Sequence, residues 1–324
     1  MNAVPRLSIG LPVYNGENYL AESLDALLGQ TYDDFELIIS DNASTDSTAD
    51  ICRRYGKQDS RIRYLRQQHN IGCAPNHNFV VGQARGELFK WASHDDLYAR
   101  DLLKRCIEGL DEYPDVVLAH AWMAMVDGSG TVTAAAEYPL ATNSSRAPER
   151  LRSMLFGSMW ADDLGGVIRT KVLRRTSLLN SYHYADRAIQ AELGLYGPFY
   201  QVPDWLYFRR DHPKRAERAC PTVRTRCANL DPRRADRLRH PVVRLYAEYA
   251  MSYATAIQRA PLSAADRREC YRYLGQWAVA RALPVARRAV PFGGRLTRES
   301  AASAAPPVLS VDAIVAGREK EMPS

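Results

Sequence analysis

Long apolar runs and paired cysteines are both missing from this chain. No apolar run in its 324 residues reaches the ~18 residues that a membrane-spanning helix needs. The six cysteines are scattered, with no Cys-x-x-Cys pair, which favours free thiols over a disulfide framework or a zinc site. The first residues, MNAVPRLSIG, lack the layout of a signal peptide. We therefore expect a cytoplasmic protein.

Glycine-rich nucleotide-binding fingerprints are missing as well. The first strand-like segment, RLSIGLPVY, is followed by NGE and not by Gly-x-Gly-x-x-Gly. A dinucleotide-dependent oxidoreductase is therefore disfavoured. The same loop has no basic, glycine-rich stretch of the kind that a nucleotidyltransferase of similar topology needs.

Acidic residues are scarce in one segment. Between Arg209 and Arg244 there are twelve Lys or Arg residues and four Asp or Glu residues, and the whole chain carries a net charge of +6. Such a patch could contact nucleic acid, anionic lipid or a phosphorylated substrate. Because no nucleic-acid-binding motif accompanies it, we expect no nucleic-acid partner and favour a solvated, arginine-rich surface.

Strand and helix signals alternate over roughly the first 130 residues, as in an α/β protein with a parallel sheet. Five apolar segments predict strands: RLSIGLPVY, FELIIS, RIRYLR, ELFKWAS and DVVLAHAWMAMVD. Beyond about residue 215, Arg-, Ala- and Tyr-rich segments with helical periodicity predict helices. We therefore predict one domain over residues 1–215 and a helical C-terminal region over residues 216–324, with weak order in about the last 20 residues.

Three loops at the ends of predicted strands have an unusual polar content. They are NGE after the first strand, DNASTD after the second and SHDD after the fourth. Ligands of open parallel sheets bind at the carboxyl ends of the strands, where such loops meet. The three loops therefore mark the candidate site.

The order of these motifs resembles the family-2 glycosyltransferases of GT-A fold. The matching pieces include LPVYNGENYLAESLDALLGQTYDDFELIISDNASTDST, NIGCAPNHNF, GELFKWASHDDL and YADRAIQ, and the resemblance covers residues 6–213. It implies a Rossmann-like, mostly parallel central sheet flanked by helices. It also implies an inverting enzyme that uses a nucleotide sugar.

The resemblance assigns nucleotide-binding roles to the first two polar loops. Pro12, Val13, Tyr14 and Glu17 would line the base and ribose. Asp41 would accept a hydrogen bond from the base, and a charge-assisted bond of this kind is about twice as strong as a neutral one. The alternative for Asp41 is a cap of the following helix, for which Ser44 and Asp46 compete.

A third segment resembles the family's loop near the diphosphate. It contains Asn70, Gly72 and Asn76. Plain turn chemistry explains these residue types equally well. Asn76 is our candidate for a contact to the nucleotide sugar.

The family's Asp-x-Asp motif aligns with Ser93, His94 and Asp95, so its first acid is missing here. Asp95 is the expected metal ligand and also contacts the nucleotide sugar, whereas Asp96 supports it or caps the next helix. His94 is a candidate contact to the nucleotide sugar, with a packing role as the alternative. His212 resembles the family's late Arg-x-His element and is a candidate contact to the metal or the diphosphate, with a loop histidine at the basic patch as the alternative. Mg²⁺ or Mn²⁺ would neutralise the charge that develops on the diphosphate.

Inversion needs a carboxylate that takes the proton of the acceptor hydroxyl. Asp186, in YADRAIQ, occupies the place of the family's base, although the acid that usually precedes it is Ala185 here. A helix N-cap is the alternative role for Asp186. Asp162 and Asp163 are rival bases, and Asp162 and Trp160 are candidates for the acceptor side.

The expected partners follow from the family. The donor would be a UDP-, dTDP- or GDP-sugar, and the hexosyl or deoxyhexosyl group would pass to a glycan, lipid or natural product of cell-envelope or secondary metabolism. The segment WAVARALPVARRAVPF could rest on the inner face of an anionic membrane, or it could equally pack a homodimer interface. Because acids are lost at Ser93 and Ala185, a non-catalytic carbohydrate- or nucleotide-binding protein is the alternative function.

Overall fold

The computed structural model describes residues 4–136, 140–157 and 163–287. Its first half contains four parallel strands in the order β3-β2-β1-β4. Their bounds are β1 Leu7–Val13, β2 Phe35–Asp41, β3 Ile62–Arg66 and β4 Leu88–Trp91. Every residue of β1 and β2 is buried, as expected for parallel strands that are covered on both faces. All four of these predicted strands are confirmed.

The helices that connect these strands cover both faces of the sheet. They are α1 Leu20–Leu28, α2 Thr48–Gln58 and α3 Cys73–Gln83, and α4 Leu102–Glu112 follows β4. Apolar side chains of α1, α2 and α4 share one core with β1 and β2. Val80 and Val81 of α3 belong to a second core on the other face. The helix signals expected between the predicted strands are thus confirmed.

The second half of the sheet mixes directions. Its strands are β5 Leu97–Tyr98, β6 Leu118–Val126, β7 Val132–Ala136, β8 Val167–Arg169 and β9 Phe199–Arg210. β8 lies antiparallel between β4 and β6, and β6 pairs in parallel with β9. β5 and β7 pair antiparallel with β9 and β6. The parallel arrangement expected over the first 130 residues therefore holds for β1–β4, and the later strands add antiparallel pairs.

Helices pack on one side of this mixed half and continue beyond residue 215. Their bounds are α5 Ala147–Phe156, α6 Thr170–Leu173, α7 Ala185–Tyr196, α8 Ala216–Ala219, α9 Val223–Leu230, α10 Val242–Arg259 and α11 Ala264–Arg287. α10 and α11 bury Tyr249, Tyr253 and Trp277 against α5 and α7 in a third core. The helical C-terminal region is thus present, and the domain boundary at 215/216 stays a prediction. The last 20 residues lie outside the described part.

A membrane-spanning helix would need both sufficient length and an apolar sequence. None of the helices within residues 4–136, 140–157 and 163–287 combines the two.

Candidate active site

A cavity of about 550 Å³ opens at the carboxyl ends of β1, β2 and β4. Residues of all three polar loops line it, together with residues of α3, α7 and the segment after β9. The lining residues that the sequence predicted are Pro12, Val13, Tyr14, Asn76, His94, Asp95, Asp186 and His212. The structure therefore brings most of the candidate residues to one place.

A second cavity, of about 600 Å³, opens at the amino ends of β1 and β4 beside Arg6, Arg85 and Arg169. The guanidinium groups of Arg6 and Arg85 already pair with Glu87 and Glu36. Ligands of open α/β sheets bind at the carboxyl ends of the strands. The cavity at those ends is therefore the candidate active site.

Backbone hydrogen bonds lock the loops after β1 and β2 together. The N–H of Asn15 donates to Ser44 Oγ at 2.9 Å, and the N–H of Gly16 donates to Thr48 Oγ1 at 2.8 Å. Asn15 and Ala43 have positive φ values of 52° and 60°. Such a conformation costs a non-glycine residue about 1–3 kcal/mol and persists only where the surroundings enforce it. This wall of the cavity is therefore preformed.

Asp41 lies beneath the cavity and not on its surface. Its carboxylate is fully buried and accepts hydrogen bonds from the Ser44 N–H at 2.8 Å and the Tyr64 hydroxyl at 2.9 Å. The alternative role as a cap of α2 is wrong, because Asp41 bonds the loop before that helix. Asp46 accepts from the Thr48 N–H at 3.0 Å, and so it is the acid that holds the start of α2.

Glu17 also turns away from the cavity. Its side chain accepts a hydrogen bond from the Ser47 N–H at 3.1 Å, and its own N–H donates to Asp46 at 3.2 Å. Glu17 is not among the residues that line the cavity. The structure thus places Glu17 at the N-terminus of α2, where a negative charge is favourable.

The loop before α3 is held by side-chain amides. Asn42 Nδ2 donates to Asn70 Oδ1 at 2.9 Å, and Asn70 Oδ1 also accepts from the Gly72 N–H. Asn76 lines the cavity but is almost fully buried. Its side-chain amide accepts a hydrogen bond from the Ser40 hydroxyl and donates one to the Ser40 carbonyl oxygen. The loop is therefore fixed before any ligand arrives, and the turn chemistry expected for Asn70 and Gly72 is present.

Asp95 and His212 face each other across the cavity floor. His212 Nε2 lies 2.9 Å from Asp95 Oδ2, and the Ser93 hydroxyl donates to Asp95 Oδ1. Burial alone would raise the pKa of Asp95. The hydrogen bond from His212 and the nearby charge of His94 hold that pKa well below its ordinary value. Asp95 is therefore a carboxylate at neutral pH.

Asp96 has a structural environment. The Tyr207 hydroxyl donates to its Oδ2 at 2.5 Å, and the Arg210 N–H and Arg215 Nη1 donate to its Oδ1 at 3.0 and 3.3 Å. Burial and the charge of Asp95 raise the pKa of Asp96. Both oxygens of Asp96 thus serve to hold β9 and the segment after it.

Arg210 is a buried anchor that the sequence did not reveal. Its Nε donates to the Asp95 carbonyl oxygen at 3.0 Å, and its Nη2 pairs with Glu22 at 2.7 Å. The guanidinium also lies 4.3 Å from the ring centroid of Tyr19. The charged run FRRDHPKR, whose first three residues end β9, was the only signal for this role. Arg210 fixes the backbone of the loop that presents Asp95.

His94 packs against Gly16 as it lines the cavity. A Cβ on Gly16 would lie 2.6 Å from His94 Cδ2 and 2.6 Å from Val13 Cγ2. Only glycine therefore allows the loops after β1 and β4 to approach this closely. The packing role that was the alternative for His94 is present, and its ring also reaches the cavity.

The donors present fit a cation that is shared with a diphosphate. No three His, Cys, Asp or Glu side chains of the described residues are arranged to enclose a metal ion. Asp95 and His212 supply one carboxylate and one imidazole. Mg²⁺ is commonly held by one or two carboxylates together with substrate phosphates and water. These two side chains are thus sufficient for such a partial site.

Asp186 lies in the first turn of α7, exposed and lining the cavity. The alternative role as an N-cap is wrong, because Tyr184 is the N-cap residue and has a positive φ of 63°. Ala185 is buried in the core with α10 and α11. An acid in place of Ala185 would lose its contact with water, which is costly for a charged group. Of the two positions where the family usually has an acid, only Asp186 reaches the cavity.

Two acceptor-side candidates, Trp160 and Asp162, lie outside the described residues. The rival base Asp163 begins a 3-10 turn, Asp163–Gly165, and the next two residues of that turn line the cavity. Residues 164 and 165 therefore lie at the site.

The basic patch was interpreted too simply as a solvated surface. Arg209, Lys214 and Arg215 belong to it and line the cavity next to His212. The sequence pattern missed them because they lie at the end of β9 or just after it, and this strand was not predicted. Cations here can attract and hold an anionic ligand.

The chain is similar in sequence to known glycosyltransferases. The model of glycosyl transferase family 2 matches residues 8–175. An uncharacterized glycosyltransferase of Rickettsia typhi is 39% identical over 108 residues, which cover 33% of each chain. The chain thus spans about a third of that relative's length.

Solved structures show a similar fold at low sequence identity. Residues 1–349 of Staphylococcus aureus TarS in complex with UDP-GlcNAc give a TM-score of 0.62 at 18% identity, covering 88% of this chain and 76% of that one. The mannosyltransferase PcManGT of Pyrobaculum calidifontis in complex with GDP-Man and Mn²⁺ gives 0.50 at 18% identity, covering 88% and 81%. These similarities concern the fold.

Proposed function

The chain belongs to glycosyl transferase family 2 and has the GT-A fold, and we propose that it moves a sugar from a nucleoside-diphosphate sugar to an acceptor hydroxyl with inversion. One observation supports this most: Asp95, His212 and Asp186 line one cavity at the carboxyl ends of the strands. A carboxylate–imidazole pair beside a separate carboxylate suits phosphate binding and proton removal within one site.

The preformed wall, which consists of the loops after β1 and β2 together with Asn76 of α3, is the proposed donor side. Pro12, Val13 and Tyr14 would border the base and ribose, and Asn76 and His94 would lie nearer the diphosphate. The TarS and PcManGT complexes hold UDP-GlcNAc and GDP-Man, which supports a UDP-, dTDP- or GDP-sugar as donor. Asp41 and Glu17 would act on this side only through the loops that they hold.

Asp95 and His212 would hold a divalent cation, Mg²⁺ or Mn²⁺. Such a cation, when bound, neutralises charge on a departing nucleoside diphosphate. Arg209, Lys214 and Arg215 lie at the same rim and would add positive charge for the diphosphate. The Mn²⁺ in the PcManGT complex supports this assignment.

Asp186 is the proposed general base. Its carboxylate would take the proton of the acceptor hydroxyl while the hydroxyl oxygen bonds to the anomeric carbon. The bond from that carbon to the diphosphate oxygen breaks in the same displacement, and the electron pair leaves with the nucleoside diphosphate. Attack from the face opposite the leaving group inverts the anomeric carbon. The exposed position of Asp186 at the cavity rim suits access by an acceptor, such as a glycan, lipid or natural product.

Release of nucleoside diphosphate from a panel of UDP-, dTDP- and GDP-sugars tests this function. We expect Mn²⁺- or Mg²⁺-stimulated release with at least one donor, and faster release when the acceptor is supplied. Binding of nucleotide sugar without release from any donor would favour the alternative, a catalytically impaired binding protein. The replacements at Ser93 and Ala185 had suggested this alternative, and each has a structural role. The Ser93 hydroxyl donates to Asp95, and Ala185 is buried in the core.

A basic and apolar surface around residues 233–244 is the proposed contact with an anionic membrane. Leu238 is 94% exposed and Val243 is 79% exposed, and the side chains of Arg233 and Arg239 beside them are 84% and 83% exposed. Each arginine near an anionic bilayer contributes about 1 kcal/mol of attraction. Trp277, at the start of the segment expected to make this contact, is buried, and residues 288–292 of that segment lie outside the described part.

Sedimentation with liposomes tests the membrane contact. We expect salt-sensitive binding to vesicles that contain phosphatidylserine, and weaker binding of Leu238→Asp. Binding that is equal for pure phosphatidylcholine vesicles would contradict the proposal. A doubled mass in light scattering, abolished by Leu238→Asp, would instead assign the surface to the alternative homodimer.

A further inference from the structure

Cys73 and His77 form a pair on α3 that faces the candidate active site. Both residues line the cavity, next to Asn76 and Trp91. The Sγ of Cys73 lies 3.5 Å from Nδ1 of His77, one helical turn further on. The proposed catalytic steps use neither residue, so the chemistry of this pair needs a separate explanation.

The hydrogen bonds decide which atom carries the proton. His77 Nδ1 also lies 2.8 Å from the carbonyl oxygen of Cys73. A carbonyl oxygen can only accept, so Nδ1 must carry a hydrogen. The single N–H points mainly at this carbonyl oxygen and is shared with the sulfur of Cys73 at 3.5 Å, and a thiolate accepts such a share better than a neutral thiol does.

The position of Cys73 adds to this effect. It is the first residue of α3, where the unpaired N–H groups of a helix favour negative charge. Gly72 before it has a φ of 94°, and a Cβ there would lie 2.6 Å from the Leu230 carbonyl oxygen. Asp231, on the same packed segment, is neutralised by an ion pair with Arg233 at 2.8 Å. The start of α3 is thus fixed in a tight contact.

The charge balance favours the thiolate. Burial alone would raise the pKa of the Cys73 thiol, but the charge of His77 and its hydrogen bond lower that pKa below the ordinary value. The same contact raises the pKa of His77 above its ordinary value. By contrast, burial raises the pKa of Cys52 and that of Cys106 to about 12 each.

We propose that Cys73 is a nucleophilic thiol that reacts selectively with soft carbon electrophiles, and that its modification blocks the donor side of the cavity. In reaction with iodoacetamide, the sulfur forms a bond to the methylene carbon, the carbon–iodine bond breaks and iodide leaves. No oxidant or reductant is needed. The blocking of the donor side rests on the proposed function, whereas the reactivity of the thiol does not.

The reactivity is tested by labelling the whole protein with iodoacetamide and following each cysteine by peptide mass spectrometry. Cys220 is a matched control, because it also lines the cavity and no histidine among the described hydrogen bonds contacts its thiol. We expect Cys73 to react about tenfold faster than Cys220 at neutral pH, since only the thiolate reacts. Equal rates would overturn the proposal.

The variant His77→Gln tests the cause of the reactivity. We expect it to slow labelling of Cys73 about tenfold and to move the midpoint of the rate of Cys73 labelling against pH upward. Circular dichroism and the melting temperature check that the fold is kept. Labelling of Cys73 with an unchanged rate and midpoint would contradict the role of His77.

The functional consequence is tested separately with UDP, dTDP and GDP in the presence of Mn²⁺. We expect the nucleotide that binds to protect Cys73, and the carbamidomethylated protein to lose that binding. The Cys73→Ser variant should be as active after treatment with iodoacetamide as before it. The Cys220→Ser variant should lose activity on this treatment, as the unchanged protein does. Retained nucleotide binding after complete modification would refute the blocking role. Failure of the untreated protein to bind any nucleotide would instead count against the proposed function.

Discussion

The two walls of the cavity are built in different ways. The early wall consists of Pro12, Val13, Tyr14, Asn15, Asn42 and Asn76, and the late wall consists of Asp186, Arg209, His212, Lys214 and Arg215. The early wall follows consecutive parallel strands and is fixed by backbone hydrogen bonds between loops. Side chains of the late wall reach the early half through the hydrogen bond between His212 and Asp95 and the ion pair between Arg215 and Asp96. Shape and charge therefore come from different parts of the chain.

The difference separates two demands of the proposed chemistry. The donor must be bound in one orientation for the reaction to be fast. A wall of fixed shape provides this, because misplaced contacts lower the rate that correct positioning gives. Proton removal and charge neutralisation need ionised groups close together, which is costly unless each is paired. Changes in the late wall should therefore affect turnover first, and changes in the early wall should affect donor binding first.

The largest effect on turnover is expected from Asp186→Asn. The amide keeps the shape of the side chain and cannot take the acceptor proton, so kcat should fall about 10³-fold while the KM for donor changes little. Steady-state kinetics with the donor found in the panel measures both constants. Should Asp162→Asn produce this loss and Asp186→Asn leave kcat intact, the base has been misassigned.

Arg210→Met should remove the contacts by which the end of β9 holds the loop of Asp95 and helix α1. The buried Asp95 carbonyl oxygen would lose its donor, whereas the half-exposed Glu22 would be solvated, and we expect a loss of about 2 kcal/mol in the free energy of unfolding. Urea unfolding measures this loss. Arg218→Met is the matched control, because the pair of Arg218 with Asp211 is exposed and should contribute less than about 1 kcal/mol. Equal losses for the two variants would show that Arg210 is not a special anchor.

The early wall should be weakened by Thr48→Val, which keeps the shape of the side chain and removes the acceptor of the Gly16 N–H. A buried donor left without its partner costs about 1–3 kcal/mol. We expect a comparable fall in the free energy of unfolding and a higher KM for donor, with kcat largely retained. Thr255→Val, at an exposed position of α10, is the control. A fall in kcat with an unchanged KM would reverse the assignment of the two walls.

The smallest effect on stability is expected at Glu36, near the amino end of β2 and away from the early wall. Burial would raise the pKa of Glu36, but hydrogen bonds from Arg85, Arg63 and Ser8 lower it below the ordinary value of 4.5. A depressed folded-state pKa gives stability that is present above the unfolded-state value and is lost as the pH falls through the folded-state value. The gap in unfolding free energy between the unchanged protein and Glu36→Gln should therefore narrow from pH 7 to pH 3. A gap that widens on acidification would contradict this linkage.

The early wall could be predicted because its signals are local. Apolar strands followed by NGE, DNASTD and SHDD indicated where three loops meet, and the structure places them together. The directions of Asp41 and Glu17 could not be predicted. They depend on hydrogen bonds to Ser44 and Ser47, and these require the positive φ values of Asn15 and Ala43.

The late wall could be predicted only in part. Resemblance to the family identified Asp186 and His212, but Asp95 and His212 are 117 residues apart and meet because β9 pairs with β5, which follows Asp96, and with β6. β9 does not alternate cleanly between apolar and polar residues, so periodicity gave no strand there. The roles of Arg210 and Arg215 follow from that unpredicted strand, and hence they were missed.

The central claim is that a cation held by Asp95 and His212 couples the two walls around a nucleoside diphosphate. Isothermal titration calorimetry of UDP, dTDP and GDP, with and without Mn²⁺, tests it most directly. We expect one of these nucleotides to bind at least tenfold more tightly with Mn²⁺, and Asp95→Ala to lose that gain while the exposed control Asp50→Ala keeps it. Binding of all three nucleotides that is unaffected by Mn²⁺, or an Asp95→Ala variant that retains the full gain, would contradict the account.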